Sequence, residues 1–350
     1  MSVGLGEFLN ALLTNKPLLV TVIVTLGVVL VNGWTDAPNA IATSVSTRAI
    51  AVKPAIIMAA VCNFLGVLVM TSISAGVAET VYKMVDFGGD AHTALVALCA
   101  ALLAIVIWAT AAWWFGIPTS ESHALIAGIS GAAIALQRGL DGINGSEWIK
   151  VIYGLVLSTI LGFGLGFLLV KLIESKASKL HRTTANDVFK YSQVAAGAGM
   201  AFMHGAQDGQ KFMGVFMLGV FLARGQSDVH EFVIPIWLML LCSATMALGT
   251  SIGGYRIIKS VGMDMVKLSP YQGFSADLAS VICLVLASVL KLPVSTTHTK
   301  TTAIIGVGAA KRVRAVNWAI VKDMVLAWVL TFPGCGALGF VMAWAFMRIF

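Results

Sequence analysis

Residues 118–123 read Pro-Thr-Ser-Glu-Ser-His, and residues 293–298 read Pro-Val-Ser-Thr-Thr-His. The two stretches share proline, serine, a second hydroxyl residue and histidine at the same spacing, and they lie 175 positions apart. An apolar, glycine-rich segment follows each of them, which indicates that both stand at the start of a helix. The sequence therefore contains one motif twice.

A second motif is duplicated in the same order. The stretch VNGWTDAPNAIAT carries Gly33 and Asp36, and the stretch MHGAQDGQKFMG carries Gly205 and Asp208, 172 positions later. Two motifs that recur in order at nearly the same offset indicate an internal duplication. We predict a first repeat over residues 1–170, a linker over 171–190 and a second repeat over 191–350.

Composition identifies the class of protein. Apolar residues make up 58% of the chain and charged residues 11%, against about 25% charged residues in an average soluble protein. Apolar runs of about 20 residues recur along the chain, and each could cross a hydrocarbon core about 30 Å thick. We predict an all-α, polytopic transmembrane helix bundle whose partner is the lipid bilayer and not a nucleic acid. The five cysteines stand singly in apolar runs and indicate neither disulfides nor a metal site.

Loop charges predict the orientation of the repeats. The polar interval 171–190 contains five Lys and Arg against two acidic residues, so the positive-inside rule places it in the cytoplasm. Corresponding loops of the two halves carry different net charges, which indicates inverted repeats. The pairs are 48–53 with 224–231, 79–92 with 256–267, and 138–150 with 311–322. Whether 118–138 and 293–310 cross the membrane or re-enter it stays open.

Two carboxylates within apolar sequence are the strongest candidates for binding a cation. Ionisable residues in the membrane are costly and mark transport pathways, and Asp36 and Asp208 occupy matching positions of the two repeats. We predict that they bind the driving cation, as metal ligands if that cation is sodium. Asn39 and Gln207 are candidate ligands as well, although a neutral amide also satisfies backbone groups. A helix cap is the alternative role for the aspartates.

The duplicated Pro-x-Ser motif is suited to an anion. Proline is favoured at the first helical position, and the residues after it offer backbone N–H groups and hydroxyls at the positive end of the helix dipole. Two such helix starts that face each other could surround a tetrahedral oxyanion. The alternative is that the hydroxyls only cap two helices. The candidate residues are Thr119, Ser120, Glu121, Ser122, Ser295, Thr296 and Thr297.

Other polar residues of the motifs favour no enzymatic activity. His123 and His298 follow the hydroxyls directly, and a buried histidine is more often a structural hydrogen-bonding group than a catalyst. Neither a G-x-S-x-G nor an H-E-x-x-H motif occurs, and no acidic residue is placed to orient a Ser–His pair. Lys211 stands where the first repeat has Asn39, and it could neutralise Asp208, attract the anion or extend to the membrane surface.

At these residues the sequence resembles the inorganic phosphate transporter (PiT) family. The stretches that carry the resemblance are NGWTDAPNAIATSVSTRAI, AAVCNFLGVLV, WWFGIPTSESHALIAGISGAAI, FMHGAQDGQK and LPVSTTHTKTTAIIGVGAAKRV, and they span nearly the whole chain. The resemblance, which is greatest to short bacterial members, implies a symporter of inorganic phosphate and a coupling cation in the bacterial cytoplasmic membrane. It also implies broken or re-entrant helices at the phosphate site.

The resemblance assigns roles that agree with the motifs. Asp36, Asn39 and Asp208 fall in the coupling-ion region, and the Ser and Thr residues at 120, 122 and 295–297 fall in the phosphate region. Gln207, Pro38 and Glu121 depart from the family pattern, so the coupling ion, proton or sodium, stays open. Transport of sulfate and a passive anion channel are the alternatives. No further cofactor is expected, and two copies could associate as a homodimer.

Overall fold

The computed structural model describes residues 3–88, 90–117, 119–179, 181–225, 232–252 and 254–350. These residues fold almost entirely into helices, and they form isolated β-bridges but no strand. The all-α class is thus confirmed. The duplicated motifs lie within the described ranges except for Pro118, which lies outside them, as do residues 226–231 of the predicted loop 224–231.

Eight helices lie in the first half of the chain. In chain order they are α1 (Leu5–Thr14), α2 (Lys16–Thr35), α3 (Pro38–Ser46), α4 (Val52–Ile73), α5 (Gly76–Tyr82), α6 (Ala91–Trp114), α7 (Glu121–Gln137) and α8 (Gly145–Ala177).

The second half begins with the longest of the described helices. Its α-helices are α9 (Arg182–Ala223), α10 (Ile236–Ile252), α11 (Tyr255–Lys259), α12 (Pro270–Val289), α13 (Thr296–Lys311) and α14 (Trp318–Ile349). A π-helical turn, Ser260–Asp264, follows α11, and a short 3₁₀ helix, Val313–Ala315, precedes α14.

Several helices are suited to span a membrane. Among the described residues, six helical spans are long and apolar enough, or seven if Ile236–Ile252 and Arg256–Asp264, which are bent by 68°, count as one broken span. Large apolar side chains such as Ile160 and Leu168 are exposed on α8. Polar side chains such as Asp208 and Lys211 are fully buried instead. Apolar exterior and polar interior identify a multi-pass membrane protein.

The order of the helices repeats. In both halves a span is followed by a short helix, a second span, a helix of 16 or 17 residues and a long final helix. The corresponding pairs are α4 and α10, α5 and α11, α6 and α12, α7 and α13, and α8 and α14. This order agrees with the predicted duplication and with inverted repeats.

The two halves exchange packing partners. The helix α7 of the first half packs against α14 of the second, and α13 of the second half packs against α8 of the first. Likewise α4 packs against α9, and α10 packs against α2. Each half therefore buries its polar helices against the other half, and the interface between the halves runs through the centre of the protein.

Two matched glycines permit this close packing. A Cβ atom added to Gly33 would lie 2.5 Å from the carbonyl oxygen of Met246 on α10. A Cβ atom added to Gly205 would lie 2.3 Å from the carbonyl oxygen of Asn63 on α4. Such distances are too short for any side chain, so both positions require glycine. The sequence match of these glycines therefore reflects equivalent helix contacts.

The two aspartate motifs differ in backbone structure. Asp36 caps the C-terminus of α2, and the helix is interrupted at Asp36 and Ala37 before Pro38 begins α3. Asp208 lies inside the uninterrupted α9. The helix is thus interrupted at the first aspartate but continuous at the second, because Gln210 stands where the first repeat has Pro38 and can donate its backbone N–H to the helix.

The polar interval 171–190 is mostly helical. The helix α8 continues through it to Ala177, and α9 begins at Arg182. The connection between the two halves is therefore short, and most of the basic side chains of this interval lie on the ends of two long helices.

Candidate functional site

The duplicated Pro-x-Ser motifs start two buried helices. Ser120 is the N-cap of α7, and its Oγ accepts a hydrogen bond of 3.2 Å from the backbone N–H of His123. Ser295 caps α13 in the same way, with His298 as the donor at 3.2 Å. The expectation that proline occupies the first helical position was wrong for Pro293, because the serine cap starts the helix only at Thr296.

A first group of polar side chains surrounds Asp36. Asn39 donates a hydrogen bond of 2.6 Å from Nδ2 to Oδ1 of Asp36, and Thr297 donates to the same oxygen from its hydroxyl. Asn39 Nδ2 also lies 3.2 Å from Thr297 Oγ1. We call Asp36, Asn39 and Thr297 the first triad. It joins the break between α2 and α3 to the start of α13.

A second group surrounds Asp208. Lys211 places its Nζ 2.6 Å from Oδ1 of Asp208 and 2.7 Å from the hydroxyl oxygen of Ser122. Ser122 in turn donates to Asp208 Oδ1 at 3.3 Å. We call Asp208, Lys211 and Ser122 the second triad. It joins the middle of α9 to the start of α7.

The triads correspond residue by residue in the two repeats. Asp36 matches Asp208 and Asn39 matches Lys211, both at an offset of 172, while Ser122 matches Thr297 at an offset of 175. The contacts correspond as well, because in each triad a nitrogen and a hydroxyl both meet one carboxylate oxygen. The triads are thus two copies of one arrangement.

The triads lie close enough to form one site. One carboxylate oxygen of Asp36, one of Asp208 and a ring nitrogen of His204 all lie within 4.8 Å of one another. Asn32 donates to Asp208 Oδ2 at 3.3 Å, and Thr296 donates to the same oxygen at 3.3 Å. This cluster could hold a metal ion, and it contains both aspartates that the sequence predicted as sodium ligands.

Two amide oxygens near the aspartates, one on a side chain that contacts Asp208 and one on a side chain that contacts Asp36, have no hydrogen-bond partner among the described residues. They are Oδ1 of Asn32 and Oδ1 of Asn39, and both side chains are buried. Hard cations prefer carboxylate and carbonyl oxygens as ligands. The surroundings of the aspartates therefore offer oxygen atoms that a cation would satisfy.

Glu121 adds a third carboxyl group to the site. It is the first residue of α7 and is only 2% exposed. Asn32 is close enough to interact with it, but within the described part of the chain neither carboxylate oxygen has a partner at hydrogen-bonding geometry. Leaving a buried charged group unpaired is costly. Glu121 is therefore placed to meet a further group at the helix start.

Gln207 and Thr119 do not join the triads. Gln207 donates a hydrogen bond of 2.8 Å to Ser288 on α12, since neighbouring residues of a helix point in different directions and Asp208 already faces the site. Thr119 is partly exposed ahead of the Ser120 cap. The other predicted residues at 120–122 and 295–297 are all buried around the two helix starts.

Histidines contribute to the site in two ways. His204, which the sequence analysis did not select, lies 3.4 Å from Asp208 through Nε2 and 2.9 Å from Asn63 Oδ1 through Nδ1. His123 and His298 contact each other through their rings, and Trp328 stacks on His298. His123 and His298 therefore pack against each other and other aromatic rings near the helix starts, which agrees with a structural role.

A second buried ion pair was not predicted from the sequence. Lys300 of α13 contacts Asp277 of α12, and it also lies 3.1 Å from the hydroxyl of Thr43 on α3. All three side chains are fully buried. Lys300 follows Thr297 by about one helical turn, so this pair lies next to the first triad. A lysine within the apolar segment after the second motif was the signal that could have revealed it.

Comparison with known proteins identifies the family. A family model described as "Phosphate transporter family" matches residues 32–182 and 173–339. The chain belongs to the phosphate transporter family.

Individual members of the phosphate transporter family align along nearly the full chain. A Bacillus subtilis protein named as a probable low-affinity inorganic phosphate transporter is 41% identical over 94% of this chain and 97% of the relative. A Rhizobium meliloti protein of the same name is 39% identical over 91% of this chain and 93% of the relative. The similarity to these relatives therefore extends over nearly all of this chain and nearly all of each relative.

A solved structure described as the sodium-dependent phosphate transporter shares the fold. It superimposes with a TM-score of 0.86, covers 96% of this chain and 100% of its own, and is 24% identical. The helix arrangement described above is thus that of a known transporter.

Proposed function

We propose that this protein carries inorganic phosphate across the bacterial cytoplasmic membrane together with a monovalent cation, as a secondary active symporter. The observation that carries the proposal is the meeting of two equivalent triads at two buried helix starts. The names of the Bacillus subtilis and Rhizobium meliloti relatives support phosphate as the substrate. The interval 171–190 would then lie in the cytoplasm.

The helix starts would bind the anion. The first backbone N–H groups of α7 and α13 have no partner within their own helices, and they lie at the positive ends of the helix dipoles. Hydroxyl groups of Ser120, Ser122, Ser295, Thr296 and Thr297 surround them. Two such helix ends at one site provide donors from two helices, which suits an anion with four oxygen atoms.

Asp36 would bind the mobile cation. Its neighbours supply a hydroxyl oxygen from Thr297 and the unpartnered amide oxygen of Asn39, and Asn32, which contacts Asp208, adds a second unpartnered amide oxygen to the cluster. This set of oxygen ligands favours sodium. Protonation of the Asp36 carboxylate is the other way in which a cation could be taken up.

Charge provides the coupling between cation and anion. Three carboxyl groups, those of Asp36, Glu121 and Asp208, are buried at the site together with one ammonium group, that of Lys211, which is paired with Asp208. Two unit charges 4 Å apart interact by about 4 kcal/mol at an effective dielectric constant of 20. An anion entering a site that is already negative is therefore opposed until a cation has bound, and this links the two movements.

Burial of the site supports alternating access. The side chains of both triads and of both serine caps are at most 2% exposed. In this conformation neither ion can enter from solvent, so transport requires the protein to open. A passive channel needs a continuous path, and the closed site favours a transporter over that alternative.

Uptake into proteoliposomes tests the proposal. Radiolabelled phosphate should accumulate inside vesicles when an inward sodium gradient is imposed, and an ionophore that dissipates the gradient should stop accumulation. A proton gradient imposed alone separates the two coupling ions. Labelled sulfate should not accumulate. Equilibration of phosphate without accumulation under either gradient would show a channel instead, and accumulation of sulfate in place of phosphate would reject the substrate.

A further inference from the structure

The two triads contain different nitrogen atoms in the same place. Nδ2 of Asn39 lies 2.6 Å from Asp36 Oδ1 and 3.2 Å from the Thr297 hydroxyl. Nζ of Lys211 lies 2.6 Å from Asp208 Oδ1 and 2.7 Å from the Ser122 hydroxyl. The contacts are equivalent, but the amide of asparagine is neutral whereas the ammonium of lysine carries a full positive charge.

The ammonium of Lys211 is surrounded by oxygen atoms of three kinds. Besides the carboxylate and the hydroxyl, the carbonyl oxygen of Val294 lies 2.5 Å from Nζ. Lys211 and Asp208 are both fully buried. Carboxylate, hydroxyl and carbonyl oxygens are also the ligands that a hard metal cation takes in proteins. The second triad therefore has the composition of a cation site, and the lysine ammonium lies at its centre.

The first triad has the same anionic group without a charged partner in contact. Within the described part of the chain, Asp36 accepts side-chain hydrogen bonds only from the neutral groups of Asn39 and Thr297, and Oδ1 of Asn39 has no partner there. A buried carboxylate of this kind requires a cation or a proton. The symmetry of the triads indicates that the cation would bind beside Asp36, because there the neutral amide of Asn39 replaces the ammonium of Lys211, and the Oδ1 of Asn39 has no partner among the described residues.

We propose that Lys211 is a resident cation that fills the second of two equivalent cation sites, which leaves the Asp36 site to the mobile coupling ion. This inference rests on the proposed function, and it predicts the stoichiometry of transport. With asparagine at both positions 39 and 211, two sites would be open to mobile cations. With Lys211 in the second site, each phosphate is accompanied by one mobile cation fewer. Exchange of residues between the repeats should therefore change the number of cations that move.

Reciprocal substitutions test the inference. Lys211→Asn opens the second site, and Asn39→Lys fills the first. Binding of radiolabelled phosphate to the purified protein is measured while sodium replaces choline at constant pH, and then while pH is varied without sodium. The slope of the logarithm of phosphate affinity against the logarithm of cation concentration counts the cations bound with phosphate. The exposed Lys83→Asn change is the matched control.

The expected slopes differ by whole cations. The slopes measured against sodium and against protons are added for each variant. Relative to the unmodified protein, this sum should rise by about one in Lys211→Asn and fall by about one in Asn39→Lys. It should stay unchanged in Lys83→Asn and in the double variant that carries both Lys211→Asn and Asn39→Lys. Equal slopes in the unmodified protein and both single variants would overturn the inference. Failure of the unmodified protein to bind phosphate under any condition would instead count against the proposed function.

Thermal unfolding without phosphate provides a second readout. A variant that gains a cation site is stabilised as the cation concentration rises. The unfolding temperature of Lys211→Asn should therefore increase with sodium or acidity more steeply than that of the unmodified protein, even if this variant no longer binds phosphate. An unfolding temperature that is lowered equally at all sodium concentrations and pH values would show a purely structural role for Lys211.

Discussion

His123 and His298 pack edge to face, with ring centroids 4.5 Å apart and ring planes at 88°. The two residues occupy matching positions of the two repeats. In inverted repeats, equivalent residues can contact each other only near the axis that relates the repeats, so the predicted inverted arrangement would place its axis close to this pair. The serine caps and the triads lie around it, and each repeat therefore supplies half of one site.

Removing the charge of the two aspartates should have different consequences. Asp36→Asn replaces a carboxylate that has only neutral groups in contact, so we expect a folded protein that no longer accumulates phosphate against a gradient. Membrane expression and uptake into proteoliposomes measure this. Accumulation at the unmodified level would refute the role of Asp36 in coupling.

Asp208→Asn should instead destabilise the protein. It leaves the buried ammonium of Lys211 without its counter-ion, and breaking a buried ion pair costs about 3–5 kcal/mol. Thermal unfolding in detergent should show a large loss of stability. The double change Asp208→Asn with Lys211→Met removes both charges and should recover most of that loss. Equal stability of Asp208→Asn and the unmodified protein would show that the pair is not needed.

Glu121 should determine selectivity between phosphate and sulfate. Near neutral pH phosphate retains a P–OH proton and sulfate does not, so a carboxylate that accepts this proton excludes sulfate. Glu121→Gln should weaken phosphate uptake and let sulfate compete better, by roughly 1–3 kcal/mol of binding free energy. Glu121→Thr, the residue of the second repeat, should preserve uptake and shift its pH dependence. Unchanged competition and an unchanged pH profile in both variants would leave Glu121 a structural role.

The matched glycines should tolerate no side chain. Gly33→Ala and Gly205→Ala place a methyl group against a backbone carbonyl, and overpacking of this kind costs about 1–3 kcal/mol. Gly164→Ala is the control, because nothing lies within 4 Å of a Cβ at that position. Alanine there should be neutral or stabilising. Unfolding temperatures that rank the three variants differently would contradict the close contacts.

Labelling of single cysteines should reveal the inverted arrangement. Lys83 and Lys259 belong to corresponding loops, both are exposed, and the loop charges place the first outside and the second in the cytoplasm. Cysteines at these positions should react with an impermeant reagent from opposite sides, in a background without the partly exposed Cys62. Reaction of both from the same side would exclude inverted repeats.

Much of the fold could be predicted because the duplication is visible in the sequence. The matching aspartates, glycines and Pro-x-Ser motifs identified the two halves, and apolar runs identified the membrane helices. The helix break at Asp36 could be predicted from Pro38. The continuity of α9 at Asp208 was missed because the aspartates match and the difference lies two positions later, at Gln210.

Contacts between distant helices set the limit of such prediction. Lys211 and Asp208 are three residues apart on one helix, so their contact could be anticipated. Lys300 and Asp277 lie on different helices, and no spacing in the sequence relates them. The orientation of the Gln207 side chain could not be predicted either, because it depends on which face of α9 packs against α12, where Ser288 accepts its hydrogen bond.

The exchange of packing partners between the halves bears on how the protein is made. The helix α7 carries one half of the proposed anion site, but its main partner, α14, is the last helix of this sequence to be synthesised. Until α14 has entered the bilayer, α7 lacks its main packing partner, although α6 and α9 already contact it. The first half is therefore inserted into the membrane before the second-half helices that pack against it, and the site is complete only after α14 has been inserted.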